Sequence, residues 1–235
     1  YGDGVVEDLG PGGGTDTVFS YVNYVMPDYV ENLHLFSSVL SATGNSSDNL
    51  VYGNEQANAI DSASGNDTVY GFGGADALFG GNGLDVLYGG SGNDVIDGWF
   101  SNDVLSGEDG DDSIFGGSGS DTIVGGLGDD ILAGEHYAEG TGIASNDLIA
   151  GGFGDDLILG GADHDRLYGE FGDDVILGGS NNDVIIGGQG ADAMDGGGSP
   201  DLFRYTAIAD YYPPGNDTIV NFSTAVGASD GFDLI

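Results

Sequence analysis

Fifteen aspartates in this chain keep a common phase. Asp67, Asp76, Asp85, Asp94, Asp103, Asp112, Asp121 and Asp130 follow one another at nine-residue intervals, and Asp147, Asp156, Asp165, Asp174, Asp183, Asp192 and Asp201 resume the interval after one break. Two residues after each stands an apolar side chain: Val69, Leu78, Leu87, Ile96, Leu105, Ile114, Ile123, Leu132, Ile149, Ile158, Leu167, Ile176, Ile185, Met194 and Phe203. Ahead of most aspartates lies a glycine-rich run, as in GFGGADALF, GGNGLDVLY and GGSGNDVID from Gly71 to Asp97. Carboxylates are hard oxygen donors, and so are the carbonyls of a glycine-rich turn; together they suit a hard divalent cation, calcium above all. Paired carboxylates can also act as general acid and base, but the regular phase assigns these to cation binding. The chain has no HExxH, no GxSxG and no histidine beside another.

The spacing also says what must position these groups. Six glycine-rich residues hold neither helix nor strand, because glycine loses the most backbone entropy on ordering and readily takes positive φ, so they form a tight turn. The three that follow, such as Val86, Leu87 and Tyr88, are strand formers. Alternation sends Leu87 inward while Val86 and Tyr88 point out. A turn and a short strand make half a coil, and two halves bring the chain back over itself after eighteen residues. The expected fold is all-β, a two-sheet parallel solenoid with a thin aliphatic seam. Each aspartate then stacks on the one a full coil later, at roughly 5 Å, in ladders of eight and seven on the two edges. Like charges so placed repel unless a cation lies between them, which gives about thirteen gaps for calcium if every adjacent pair binds.

The chain has almost no cations of its own. Against Asp+Glu 40 it sets Lys+Arg 2, a formal charge of −38 over 235 residues. An acidic excess of this size usually signals disorder, yet here the acids recur at a fixed period beside aliphatics. The same charge disfavours nucleic acid and anionic membrane surfaces, and no apolar run is long enough for membrane insertion. With Cys 0 there are no disulfides and no thiolate metal sites, so an exported protein must find its rigidity elsewhere. The sequence opens at Tyr1 without methionine or signal peptide and stops in a strand-like phrase, and is expected to be a piece of something longer.

Outside the periodic stretch, residues 1–43 are expected to cap one end of the solenoid. Asp16 to Phe36 reads as strand, turn at Pro27-Asp28, strand, and its aromatics (Phe19, Tyr21, Tyr24, Tyr29, Phe36) suit packing over an open end or a carbohydrate or partner surface. The repeats span 44–204, with asparagine at Asn49 and Asn58 in the aspartate phase, where calcium should be weak or absent. An insertion at 134–141, GEHYAEGT, must loop out of one edge; Glu135, His136 and Glu139 in it are solvated or form a small site. Trp99-Phe100 replaces turn residues with an aromatic pair, as packing or as a docking point. Asp163 and Asn181 can hold a glycine position, while Ser101, Ser145 and Ser199 fit it less well. Residues 205–235 form a C-terminal cap in which Asp217, Asp230 and Asp233 are candidates for one further ion.

From Gly44 to Arg204 the chain resembles the β-roll of RTX (repeats-in-toxin) proteins, the hemolysin-type calcium-binding repeats. VENLHL, Val30 to Leu35, is similar to segments that lead into such rolls, and the terminal NDTIVNF and DGFDLI are similar to the region after the roll in serralysin-like proteases and alginate epimerase modules. The resemblance implies a right-handed parallel β-roll in which each ion is held by aspartates of two stacked turns, such as Asp85 with Asp103, and by carbonyls of the turns. Candidates for the latter are Gly74, Gly81, Gly83, Gly90, Gly92, Gly110, Gly117, Gly119, Gly126, Gly128, Gly152, Gly154, Gly172, Gly179 and Gly190. It implies a non-enzymatic module, exported by a type I system, that folds on extracellular calcium and serves an upstream domain of the same polypeptide. Polysaccharide binding, as in epimerase modules, and an adhesin or surface-layer role are the alternatives.

Overall fold

The computed structural model describes residues 4–5, 14–36, 38–135, 146–204 and 217–220. Among these there are strands and turns but no helix, so none long and apolar enough to cross a membrane. Two sheets of twelve and eleven strands run the length of the described residues, and from Thr17–Ser20 onward the chain alternates between them at each step. One holds Thr68–Gly73, Val86–Ser91, Val104–Asp109, Thr122–Leu127, Leu148–Phe153, Arg166–Phe171 and Val184–Gln189. The other holds Ala77–Asn82, Val95–Phe100, Ser113–Ser118, Ile131–Ala133, Leu157–Gly161, Val175–Ser180 and Ala193–Gly198. Pairing is parallel with an eighteen-residue offset: Leu87 lies beside Val69 and Leu105, and Ile96 beside Leu78 and Ile114.

The seam between the sheets is one side chain per half-coil. All fifteen residues at the inward position, Val69 to Phe203, are buried. Burying an aliphatic of that size is worth about 1.5–3 kcal/mol, so each half-coil has one such contribution with which to order nine residues. Outward neighbours such as Val95, Val104 and Ile131 stay exposed, so the roll has no second apolar layer. What closes the turns therefore decides whether the fold holds.

The break in phase is absorbed locally. Thr122 pairs with Leu148 and Ile131 with Leu157, an offset of twenty-six, and the register on both sides is unchanged. The extra residues fall in sequence between Gly134 and Asp147. Gly134 itself stands where the first glycine of a turn belongs, accepting from Gly117 N at 2.8 Å and donating to Leu159 O at 2.9 Å. His136, Glu139 and Ser145 lie outside the described residues.

The first coils are built differently. Thr17–Ser20 pairs with Asn32–Leu35 at an offset of fifteen, and Asn32–Leu35 in turn with Leu50–Asn54 at eighteen. Besides the inward Val18, Leu33, Ala42, Val51 and Ile60, the side chains of Met26, Val30, Leu35 and Val39 are buried there, so this end has a thicker core. The short strand Gly4–Val5 lies antiparallel against Thr17–Ser20, whereas the other described pairings are parallel. At the far end Thr218–Val220 adds a last rung to Ala193–Gly198.

Candidate metal centre

From Ala63 onward the described turns owe their shape to residues in the left-handed region. All fifteen glycines proposed as carbonyl donors, Gly74 to Gly190, have positive φ, as do Gly65, Gly161, Gly188 and Gly197. At Gly83, φ is +138°, and a Cβ would run into the carbonyl oxygen of Gly65 one coil earlier. That collision shows where the carbonyl points: along the stacking axis, into the gap between turns. The carbonyls of Gly74, Gly92 and Gly110 address Gly92, Gly110 and Gly128 in the same way. Where glycine is missing the backbone keeps its shape, with Trp99 at +76°, Ser101 at +84°, Asp163 at +75°, Asn181 at +73° and Ser199 at +94°. Only Asn and Asp do this readily, so the others carry strain.

The strand that leaves the turn brings its aspartate back over the gap, where stacking produces two ladders. Asp85 Oδ1 accepts from Asp67 N at 2.8 Å, Asp103 Oδ1 from Asp85 N at 2.8 Å, and Asp121 Oδ1 from Asp103 N at 2.8 Å. The sequence continues through Asp147, Asp165, Asp183 and Asp201, crossing the insertion without a gap. On the other edge Asp76, Asp94, Asp112, Asp130, Asp156, Asp174 and Asp192 are joined alike. Asp217 extends that second ladder, its Oδ1 accepting from Asp192 N at 3.2 Å.

In thirteen of these carboxylates one oxygen is thus satisfied and the other is not. The Oδ2 atoms of Asp67, Asp76, Asp85, Asp94, Asp103, Asp112, Asp121, Asp130, Asp147, Asp156, Asp165, Asp174 and Asp183 are buried without a hydrogen-bond donor. A buried, unpaired acceptor is costly, and a buried charge more so. Burial accordingly pushes these carboxyls above the ordinary range, with stacked neighbours adding repulsion in several such as Asp103, Asp165 and Asp130: Asp103 and Asp165 to about 8, Asp67, Asp130, Asp147, Asp174 and Asp183 to about 7, and Asp76, Asp94, Asp112, Asp121 and Asp156 to about 6. Asp85 moves the same way. The bond from the backbone N–H one coil away pulls each of them down, but by less.

No cluster of three or more His, Cys, Asp or Glu side chains that could hold a metal occurs among the described residues. What each gap presents is a stacked pair of carboxylates and the turn carbonyls. A family model described as the RTX calcium-binding nonapeptide repeat (4 copies) matches residues 41–69, 70–105, 100–132, 141–176 and 168–203. The chain belongs to the RTX family. Its repeats bind calcium, and the β-roll carries buried aspartate ladders of the kind that chemistry requires. A search of curated proteins finds no match to the chain.

The donor set fits the ion. Every oxygen offered by an RTX turn is hard, the orphaned Oδ2 atoms lack a positive partner, and the carbonyls that address each gap are held there by the glycine φ angles. When bound, calcium would supply the charge these carboxylates lack.

Beside each aspartate ladder runs a second one that the nonapeptide pattern does not announce. In many coils the side chain before the aspartate accepts from the next coil: Asp129 N donates to Asp111 Oδ1 at 3.1 Å, Asp155 N to Asp129 Oδ1 at 3.0 Å and Asp173 N to Asp155 Oδ1 at 2.8 Å. On the opposite edge Asn146, His164 and Asn182 do the same, His164 Nδ1 accepting from Asn182 N at 3.0 Å. The two ladders run in opposite senses, so where both are present a turn is tied to the coil before it and the coil after it. The only sequence signal is an Asx bias just ahead of the phased aspartate, as at Asn66, Asn93, Asn102 and Asp111.

Proposed function

We propose that this RTX β-roll folds when it meets extracellular calcium and that it supports the type I secretion and stability of a larger exported polypeptide. The observation that carries the proposal is the series of buried carboxylate oxygens with no donor, stacked at strand spacing in a chain of charge −38. Each proposed site lies between consecutive members of a ladder, such as Asp85 with Asp103 or Asp94 with Asp112, and adds the carbonyls of glycines such as Gly74, Gly83 and Gly92. About a dozen ions would fill the roll. Extracellular modules bind calcium at about 0.1–1 mM, so the chain stays unfolded where calcium is scarce and winds up outside the cell. At a hundredfold excess over Kd each ion adds about 2.7 kcal/mol, and shared aspartates make the process cooperative. The upstream domain would hold any catalytic or adhesive activity.

Far-UV circular dichroism tests the central step. The chain should be coil-like in chelator and β-rich in millimolar calcium, while magnesium, which demands a tighter octahedron and keeps its waters, should not substitute. Equal β content in chelator and in calcium would sink the proposal.

A glycan-binding role has one observation in its favour. Phe19, His34, Tyr52, Tyr70 and Tyr88 form a stripe along one sheet, with neighbouring ring centroids 4.8, 4.4, 5.3 and 5.0 Å apart. The rings stack face to face on one another, which favours lateral packing; glycan binding by the isolated chain that is lost in Tyr52→Ala would favour the second role.

A further inference from the structure

The two turns with asparagine in the aspartate phase are closed by their own side-chain amides. Asn49 and Asn58 stand in the aspartate phase, but their amides do what no aspartate can: each nitrogen donates into the gap. Asn49 Nδ2 reaches Val30 O at 3.3 Å and Asn58 Nδ2 reaches Val39 O at 2.9 Å, both in the preceding coil. A second asparagine joins each of them from the place where later turns have a positive-φ residue. Asn45 Nδ2 donates to Pro27 O at 2.7 Å and Val30 O at 2.7 Å, and Asn54 Nδ2 to Val39 O at 2.8 Å and Phe36 O at 3.2 Å. The amide oxygens turn inward to their own turns, Asn49 Oδ1 accepting from Asn45 N at 3.0 Å and Asn58 Oδ1 from Asn54 N at 2.8 Å. Asn45, Asn49 and Asn58 are buried, so these bonds act where an unpaired group would be costly.

Two amide nitrogens thus converge on one carbonyl in the gap at each edge, where downstream coils leave a carboxylate oxygen with no donor. The same coils hold the thicker core, with Met26, Val30, Leu35 and Val39 buried in addition to the inward row. They also carry the start of the aromatic stripe. The amide bonds, the thicker core and the ring stack are indifferent to metal, and the ladder aspartates begin only at Asp67.

Accordingly, we infer that residues 14–61 form a metal-independent block, locked by the amides of Asn45, Asn49, Asn54 and Asn58, on which the calcium-dependent coils wind in order from this end. Asn49 N and Asn58 N already donate to Asp67 Oδ1 and Asp76 Oδ1, each at 2.7 Å, so the block offers the next coil a finished edge. This rests on the calcium-driven folding proposed above, but the two can fail separately.

Hydrogen exchange of the full chain, read by mass spectrometry, tests it. In EGTA the amides of Leu50 and Ala59, bonded to Glu31 O and Leu40 O, should exchange at least tenfold more slowly than those of Val104 and Val184, bonded to Asp85 O and Asp165 O. After a calcium jump, pulse labelling should show protection at Val104 before Val184. The double variant Asn49→Asp, Asn58→Asp should lose the protection at Leu50 and Ala59 in EGTA, whereas Asn66→Asp, on the outer ladder, should keep it. Absence of early protection at Leu50 and Ala59 in a chain that calcium still folds, its survival in the double variant, or closure of Val184 first would overturn the inference. Protection over the whole chain in EGTA would overturn calcium-driven folding instead.

Discussion

Replacing Asp103 by asparagine should change the stability of the roll in opposite directions with and without calcium. The side chain sits mid-ladder: Oδ1 accepts from Asp85 N at 2.8 Å, its own N–H donates to Asp121 Oδ1 at 2.8 Å, and Oδ2 is buried without a donor. Burial, with Asp121, Asp85 and Asp97 nearby, pushes its carboxyl to about 8 against the ordinary 3.8. At neutral pH the metal-free fold must either hold a proton there or bury a charge, and asparagine removes that demand while keeping an Oδ1 acceptor. In EGTA, with trimethylamine N-oxide added to drive folding, the variant should fold at the same or a lower osmolyte concentration than the parent. In calcium the balance reverses. Asp103 borders the gaps to Asp85 and to Asp121, so the change weakens two sites, and two ions at a hundredfold excess over Kd contribute about 5 kcal/mol at most. The urea midpoint in 10 mM calcium, a concentration of about 10–100 times the Kd of such sites, should fall, and calorimetric titration should count up to two fewer ions. Equal destabilisation in EGTA and in calcium would show Asp103 to be an ordinary structural hydrogen-bond partner, and an unchanged ion count would remove it from the sites.

Two further outcomes follow from the same geometry. Gly83→Ala places a Cβ against Gly65 O at a φ of +138°, so the turn should shift or open; a residue forced into such a region costs about 1–3 kcal/mol, read as a lower urea midpoint in calcium and a weakened site between Asp67 and Asp85. For pH, the ladder carboxyls are raised in the fold, to between about 6 and about 8 in the groups named above. Their contribution to the metal-free fold is therefore fully present below the unfolded value near 4 and is lost as pH rises through about 6 to 8. Acidifying the chain in EGTA from pH 8 to pH 4 should thus raise its β content in circular dichroism, protons standing in for calcium; a flat response would show that the carboxylates do not hold the metal-free chain apart.

Much of this fold is legible in the residues because a solenoid makes few demands beyond the local period. Leu87 must face inward and Asp85 must end a turn whatever the rest of the chain does, since strand alternation and glycine turn geometry act over a few residues. What did not show was the use of atoms across coils. That Gly134 completes a turn ahead of the extra residues depends on its bonds to Gly117 and Leu159. The outer ladder through Asp111, Asp129 and Asp155 depends on stacking, because an Asx side chain ahead of an aspartate reads equally well as solvated. Asp217 lies outside the nine-residue phase and joins the second ladder only because Thr218–Val220 docks on Ala193–Gly198.

The asparagines make the division plainest. Composition and phase alone determined that this chain would be a roll of stacked turns with acidic edges, because period, charge and turn chemistry are properties of short segments. That calcium should be weak at Asn49 and Asn58 was legible in the residue type, but what their amides donate to was decided only in three dimensions. Asn49 and Asp67 hold the same place in the repeat, but Val30 O, nineteen residues away from the first of them, is what gives the amide nitrogen somewhere to donate. A hydrogen bond needs its partner's position, and that position exists only once the preceding coil has closed.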